Sequence, residues 1–160
     1  MQARHSSLLA AWRQVFLEAG AQVPQRNVER LLRTTWVRVP AWDQRRLDLV
    51  VPGLCIDRGL PLFCDATIVS PITTGDARPG TSNNPGCLLE AAERDNADTY
   101  PEVECSNLAV LQCLACEVYG RFGRHCVELV PKLAIAKTQG LLRKFDEARN
   151  SCDNAGGGAS

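Results

Sequence analysis

The stretches RLDLVV (residues 46–51) and LFCDATIV (residues 62–69) are short apolar runs that each contain one carboxylate, Asp48 and Asp65. Valine, isoleucine, phenylalanine and cysteine are typical of strand interiors, which are usually buried. An ionised carboxylate left alone in such surroundings costs on the order of several kcal/mol. Asp48 and Asp65 must therefore be paired with cations, held by hydrogen bonds, or used to bind a metal ion.

The rest of the chain alternates between helical and strand patterns. We predict helices at 7–19, 86–99 and 124–149, the last interrupted near Pro131 and Gly140, and strands at 46–54, 61–69 and 108–118. Residues 26–35 are expected to form a short amphipathic turn or helix, or a short strand. This order predicts an α/β domain with a small mixed central sheet flanked by helices. Residues 1–149 form one domain in this interpretation, a long polar loop covers 70–86, and residues 150–160 are a disordered tail.

The register of the two carboxylate strands decides whether their acids meet. If the turn centres on Asp57 and Arg58, Val50 faces Asp65, and the two acids share one face roughly 5–8 Å apart. A register shifted by one residue would place them on opposite faces.

Composition narrows the class of protein. The chain has 160 residues, 45% hydrophobic content and zero net charge, which favours a folded domain over an overtly basic nucleic-acid binder. Without a long apolar run or a signal-like start, we expect it to be soluble, neither membrane-bound nor secreted. Residues 26–46 and 121–149 are rich in basic residues, while 86–106 is acidic. The basic segments either flank a negatively charged substrate or are solvated faces that balance the acidic segment.

The eight cysteines include one pattern with metal-ligand spacing. Cys113 and Cys116, with His125 and Cys126 downstream, suggest a zinc site as one hypothesis. Against it, residues 111–118 have the pattern of a strand, in which positions three apart point to opposite faces.

The strand carboxylates have two possible partners. Asp48 and Asp65 on one face can hold a hard divalent cation, Mg²⁺ or Mn²⁺, because such ions prefer oxygen ligands. Alternatively, they pair with Arg45, Arg46 or Arg121.

The helix at 86–99 and the last strand supply the remaining candidate site residues. Leu89, Glu93, Asn96 and Tyr100 lie on one helical stripe, so Glu93 and Asn96 either complete a polar pocket or face solvent. Glu117 is expected to pair with Arg121.

Several short motifs together resemble the restriction-endonuclease-like, or PD-(D/E)XK, nuclease superfamily. The resemblance is to the nuclease-like segment that follows the reverse transcriptase in retrotransposon-derived open reading frames. The stretches that carry it are RHSSL (4–8), EAGA (18–21), RLDLV (46–50), CDATIVSP (64–71), YPE (100–102) and CEVYGR (116–121).

The resemblance implies a helix–three-strand–helix–strand core and a Mg²⁺- or Mn²⁺-dependent DNA endonuclease. Asp48 and Asp65 would be its catalytic acids and metal ligands. Glu93 would be a further ligand or water contact, and Asn96 would orient water or phosphate. Arg45, Arg46 and Arg121 would contact the phosphates of DNA. A nuclear location inside the cell also follows from the resemblance.

The sequence departs from the superfamily at its lysine. That lysine would lie at Thr67 or, moved to the next helix, at Asn96, and neither side chain can act as a general base. Loss of such a group typically costs about 10²–10⁴-fold in rate. The resemblance thus implies a weakened or inactive nuclease. The alternative is a degenerate scaffold without enzymatic activity that binds nucleic acid or protein.

Overall fold

The computed structural model describes residues 2–22, 37–72, 76, 78, 81 and 84–155 of the chain. In chain order, the elements are α1 (Gln2–Glu18), β1 (Leu49–Val51), a 3-10 turn (Asp57–Gly59), β2 (Leu62–Val69), α2 (Cys87–Thr99), α3 (Pro101–Glu104), β3 (Val110–Glu117) and α4 (Arg124–Ala155). The prediction of an α/β domain with a small mixed sheet flanked by helices is confirmed. The short element predicted at 26–35 lies outside the described residues.

The sheet has three strands in the order β1-β2-β3. β1 runs antiparallel to β2, and β2 runs parallel to β3. The parallel pair requires a long crossover, which α2 and α3 provide. Among the described residues, two strands precede α2, whereas the nuclease resemblance implies three.

The hairpin register differs by two residues from the predicted one. Val50 pairs with Phe63, where we expected Asp65, and Leu49 pairs with Cys64. The pairing stops at Leu49, and Asp48 lies in a bend just before β1. Because side chains alternate with a period of two, a two-residue difference leaves the expected face of each side chain unchanged.

Helices cover both faces of the sheet. On one face, apolar side chains of α1 and α4 pack against alternate strand residues. The helix residues include Trp12, Phe16 and Leu129, and the strand residues include Cys64 and Leu114. On the other face, α2 and α3 cover Phe63, Leu111 and Cys113. Strands buried on both faces explain why their sequences are nearly continuous apolar runs. Asp65 lies on the α2 face, because it is two residues from Phe63 on β2.

The last helix is longer and more continuous than predicted. α4 passes through Pro131 and Gly140 without a break and extends to Ala155, so the first residues of the predicted tail are helical. Pro131 removes one helical hydrogen bond, but buried Leu129 and Leu133 on either side anchor the helix to the sheet. Residues 156–160 lie outside the described residues. Nowhere in the described chain is a helix both long and apolar enough to span a membrane.

Candidate functional site

Asp48 lies immediately before β1 and binds the neighbouring strand through its side chain. Its Oδ2 accepts a hydrogen bond of 2.8 Å from the Ala66 N–H. The same oxygen lies 3.1 Å from Nε2 of His5 on α1, and this nitrogen is also 3.1 Å from the Ala66 carbonyl oxygen. The carboxylate therefore extends the contact between the two arms of the hairpin to the residue just before β1. No role for His5 was predicted from the sequence, in which it appears only within the motif at residues 4–8.

Asp65 lies close enough to Asp48 for the two charges to interact. Burial, followed by the negative charge of Asp48, raises the pKa of Asp65 from 3.8 to about 6, while the Asn96 hydrogen bond and His5 act in the opposite direction. Like charges in a partly buried site disfavour joint ionisation. A cation beside the pair would relieve this repulsion.

Asn96 is the buried amide of this site, with only 5% of the residue exposed. It lies on α2 and donates through Nδ2 to Oδ2 of Asp65 over 3.0 Å. Its Oδ1 is buried and has no hydrogen-bond partner among the described residues. A buried acceptor without a partner costs about 1–3 kcal/mol, so a partner for this oxygen would stabilise the folded protein.

The donors of the site fit a hard divalent cation. Carboxylate and amide oxygens are the ligands that Mg²⁺ accepts, together with several waters. Among the described residues, no cluster of three or more histidine, cysteine, aspartate or glutamate side chains is arranged to hold a metal ion. Within the described ranges, the candidate donors at this site are two carboxylates and one amide, which favours weak binding.

Glu93 binds the start of α4. Its Oε1 accepts a 3.0 Å hydrogen bond from the backbone N–H of His125, the second residue of that helix. A carboxylate at this position satisfies a free N–H and interacts favourably with the helix dipole. Glycine at position 123 makes room for it, because a Cβ there would lie 2.7 Å from Oε1.

We expect Glu93 to act on stability and not on cation binding. Glu93→Ala should lower the free energy of unfolding by about 1 kcal/mol because α4 loses its cap, whereas Glu93→Gln keeps an acceptor and most of the stability. Urea unfolding with and without Mn²⁺ measures both effects. A loss of the Mn²⁺ effect in Glu93→Gln would instead assign the carboxylate a ligand role.

Arg45 is the centre of an ionic cluster. It lies 2.5 Å from Asp43 and 2.7 Å from Glu102, and it donates to the Thr99 carbonyl oxygen. Its guanidinium lies 5.8 Å from the centre of the Tyr100 ring. Hydrogen bonds to Asp43 and then to Glu102 raise the pKa of Arg45. A phosphate would have to compete with both carboxylates for this arginine.

The other two arginines expected to bind phosphate are more accessible. Arg121 is half exposed and lies 3.5 Å from the buried Glu117 carboxylate, the pairing that the sequence suggested. Arg46 is exposed, and its backbone carbonyl oxygen accepts a hydrogen bond from the Tyr100 hydroxyl. Arg46 and Arg121 remain candidates for phosphate contact.

The cysteines and histidine of the zinc hypothesis do not converge. Cys113 lies on the α2 face, whereas Cys126 lies in the core beneath α1 and α4. His125 uses Nδ1 to accept a hydrogen bond from the Cys113 N–H over 3.2 Å. As noted above, the described residues contain no such metal cluster, so the zinc hypothesis has no structural support.

One surface cleft lies at the C-terminal ends of β2 and β3, beside the start of α2. Its lining includes Ile72, Cys87, Glu117, Tyr119 and Arg121, but neither Asp48 nor Asp65. Ligands often bind at this edge of parallel strands. Here Glu117 is already paired with Arg121, so the cleft presents no comparable set of ligands.

Scans against protein-family models, and searches of characterised proteins and of solved structures, found no match to this chain. The resemblance to restriction-endonuclease-like proteins therefore rests on the short motifs in the sequence.

Proposed function

We propose that this chain is a divalent-cation-binding, restriction-endonuclease-like domain of retroelement origin whose activity on DNA is weak or lost. The observation that carries the proposal is the buried Oδ1 of Asn96, which has no partner within the part of the chain that the structure describes, while its own amide nitrogen holds Asp65. Next to it, the charge of Asp48 disfavours ionisation of Asp65. A cation would satisfy both requirements.

Asp48, Asp65 and the Asn96 carbonyl oxygen would hold Mg²⁺ or Mn²⁺. When bound, such an ion supplies charge neutralisation at a phosphate and lowers the pKa of a coordinated water. Arg46 and Arg121 would contact DNA phosphates, and their charge would fix the position of the backbone without reading its sequence.

The proposed weakness as a nuclease has its basis in the lysines. All three lysines of the chain lie on α4. Lys132 binds Asp57 over 2.5 Å, and Lys137 binds Glu18 over 2.8 Å. Thr67 and Asn96 occupy the positions at which the motif comparison expects the superfamily's lysine. A chain that keeps the acids without this amine also fits the alternative function, a non-enzymatic scaffold that binds nucleic acid or protein.

A Mn²⁺ titration followed by thermal unfolding tests the cation site. For a dissociation constant near 1 mM, 10 mM Mn²⁺ should stabilise the protein by about 1.4 kcal/mol, or about 3–5 °C. Asn96→Asp adds a third carboxylate, so it should raise the Mn²⁺ affinity about tenfold or more and destabilise the metal-free protein. Asn84→Asp, at an exposed position before α2, is the control.

The same samples then test the chemistry in a plasmid-nicking assay. We expect slow nicking or none, and any nicking must disappear in Asp65→Ala. Binding of Mn²⁺ without nicking supports the scaffold alternative. Absence of any Mn²⁺ stabilisation in both the wild-type chain and Asn96→Asp would contradict the cation site itself.

A further inference from the structure

We propose that His5 is a positioning residue that orients Asp48 toward the cation and makes the docking of α1 part of the cation site. This inference rests on the proposed function, because it concerns the same ion. It starts from the unequal lengths of two paired strands. β2 has eight residues, whereas β1 has three and begins only at Leu49.

The backbone of Ala66 lies beyond the end of β1 and is bound by side chains. The Asp48 carboxylate accepts from its N–H over 2.8 Å, and the His5 imidazole lies 3.1 Å from its carbonyl oxygen. Two side chains thus replace the strand partner that β1 does not supply. Since His5 contacts both Asp48 and Ala66, it joins α1, β2 and the residue before β1 at one point.

These contacts determine which oxygen of Asp48 faces a ligand. Oδ2 is engaged by the Ala66 N–H and by His5 Nε2. With a proton on Nε2, the single N–H of His5 is shared between this oxygen and the Ala66 carbonyl oxygen, so Oδ2 accepts one full and one shared hydrogen bond. Oδ1 is therefore the oxygen available to a cation, and His5 keeps the carboxylate from rotating. Partners that orient a metal ligand typically contribute about 10–100-fold to metal affinity.

The same contact couples the ion to α1. Trp12 and Phe16 anchor the later turns of α1 in the core, whereas residues 3–7 are exposed or half-buried. His5 is the link from this first part of the helix to the site. If the His5 contact increases the affinity for the cation, binding of the cation must stabilise this contact of α1 by the same free energy, because linkage is reciprocal.

The test compares His5→Gln with His5→Asn. Glutamine can place an amide N–H near the position of the imidazole Nε2, whereas asparagine is too short. By calorimetry, His5→Asn should weaken Mn²⁺ binding about tenfold, and His5→Gln should stay within about threefold of the wild-type affinity. Gln14→Ala removes an exposed contact with Glu18 elsewhere on α1 and should leave the affinity unchanged.

Hydrogen exchange provides a second readout. In the wild-type protein, saturating Mn²⁺ should slow amide exchange in the first turns of α1 about tenfold, and His5→Asn should lose this effect. Wild-type affinity and exchange protection in His5→Asn would overturn the role of His5 while leaving the cation site intact. Failure of the wild-type chain to bind Mn²⁺ would instead remove the proposed function and this inference together.

Discussion

Replacing Asp65 with asparagine is expected to abolish stabilisation by Mn²⁺ and, at the same time, to stabilise the metal-free protein at pH 7.5. The pKa of Asp65 rises from 3.8 to about 6 on folding, mainly through burial and then through the charge of Asp48. At neutral pH the folded state therefore carries an unfavourable charge that costs on the order of 2 kcal/mol after allowance for screening by solvent. The amide removes this charge together with a cation ligand.

The pH dependence of the free energy of unfolding shows whether the Asp65 charge stabilises or destabilises the folded state. Between about pH 4 and pH 6 the folded state binds more protons at Asp65 than the unfolded state does, so the contribution of this group to stability falls as the pH rises. Urea unfolding from pH 4 to pH 7.5 should show this slope in the wild type and a flatter curve in Asp65→Asn.

Asp98→Asn is the matched control for Asp65→Asn, because Asp98 is an exposed carboxylate on α2. It should leave the pH slope and the Mn²⁺ effect unchanged. If Asp65→Asn is less stable than the wild type at pH 7.5 and still responds to Mn²⁺, neither the repulsion between the acids nor the ligand role is correct.

Replacing Arg45 with methionine is expected to cause a large loss of stability. Asp43 and Glu102 would lose their shared guanidinium, and the Asp43 side chain is only 6% exposed. Removing one partner of a buried ion pair costs about 3–5 kcal/mol. Because Arg45 and Glu102 are partly exposed, we expect about 2–3 kcal/mol, or about 4–12 °C in Tm for a chain of this size.

Arg124→Met provides the comparison for Arg45. Arg124 and Glu128 form an exposed pair on α4, with 73% and 60% of their side chains accessible. Such pairs contribute about 0.3–0.5 kcal/mol, so the Tm should change by less than about 2 °C. Equal effects in the two variants would show that the Arg45 cluster does not stabilise the fold. A loss of DNA binding in Arg45→Met without a loss of stability would support the phosphate contact expected from the sequence.

The order of helices and strands followed from periodicity, but the hairpin register did not. The prediction placed the turn centre between Asp57 and Arg58. With Val51 paired to Leu62, the connection is centred one residue earlier than predicted. Moving the centre of a hairpin by one residue shifts the partner of each strand residue by two. The cause is the chain conformation from Asp57 to Gly59, where three consecutive residues have positive φ. Side-chain patterns do not reveal such a turn when only its last residue is glycine.

The site was predictable where its residues belong to regular local patterns. Asp48 and Asp65 stand out within apolar sequence. The stripe on α2 drew attention to Asn96 but left open whether it is buried or faces solvent. The partners of these residues were not predictable, because His5 is 43 residues from Asp48 and Arg45 is 57 from Glu102. Periodicity is a local signal and carries no information on such distant contacts. The cap formed by Glu93 was missed for the same reason, since His125 lies 32 residues away.

The short hairpin also bears on the order in which the molecule assembles. Asp48 reaches Ala66 across 18 residues, whereas Asn96 joins Asp65 across 31 and His5 joins Asp48 across 43. Closing the longest of these loops costs about 0.8 kcal/mol more entropy than closing the shortest. The contact with the smallest closure cost therefore lies in the hairpin that contains both negative charges, so we expect their repulsion to oppose the formation of this hairpin. Salt in a refolding buffer screens such charges, so we expect it to favour this pairing during refolding as well as in the folded protein.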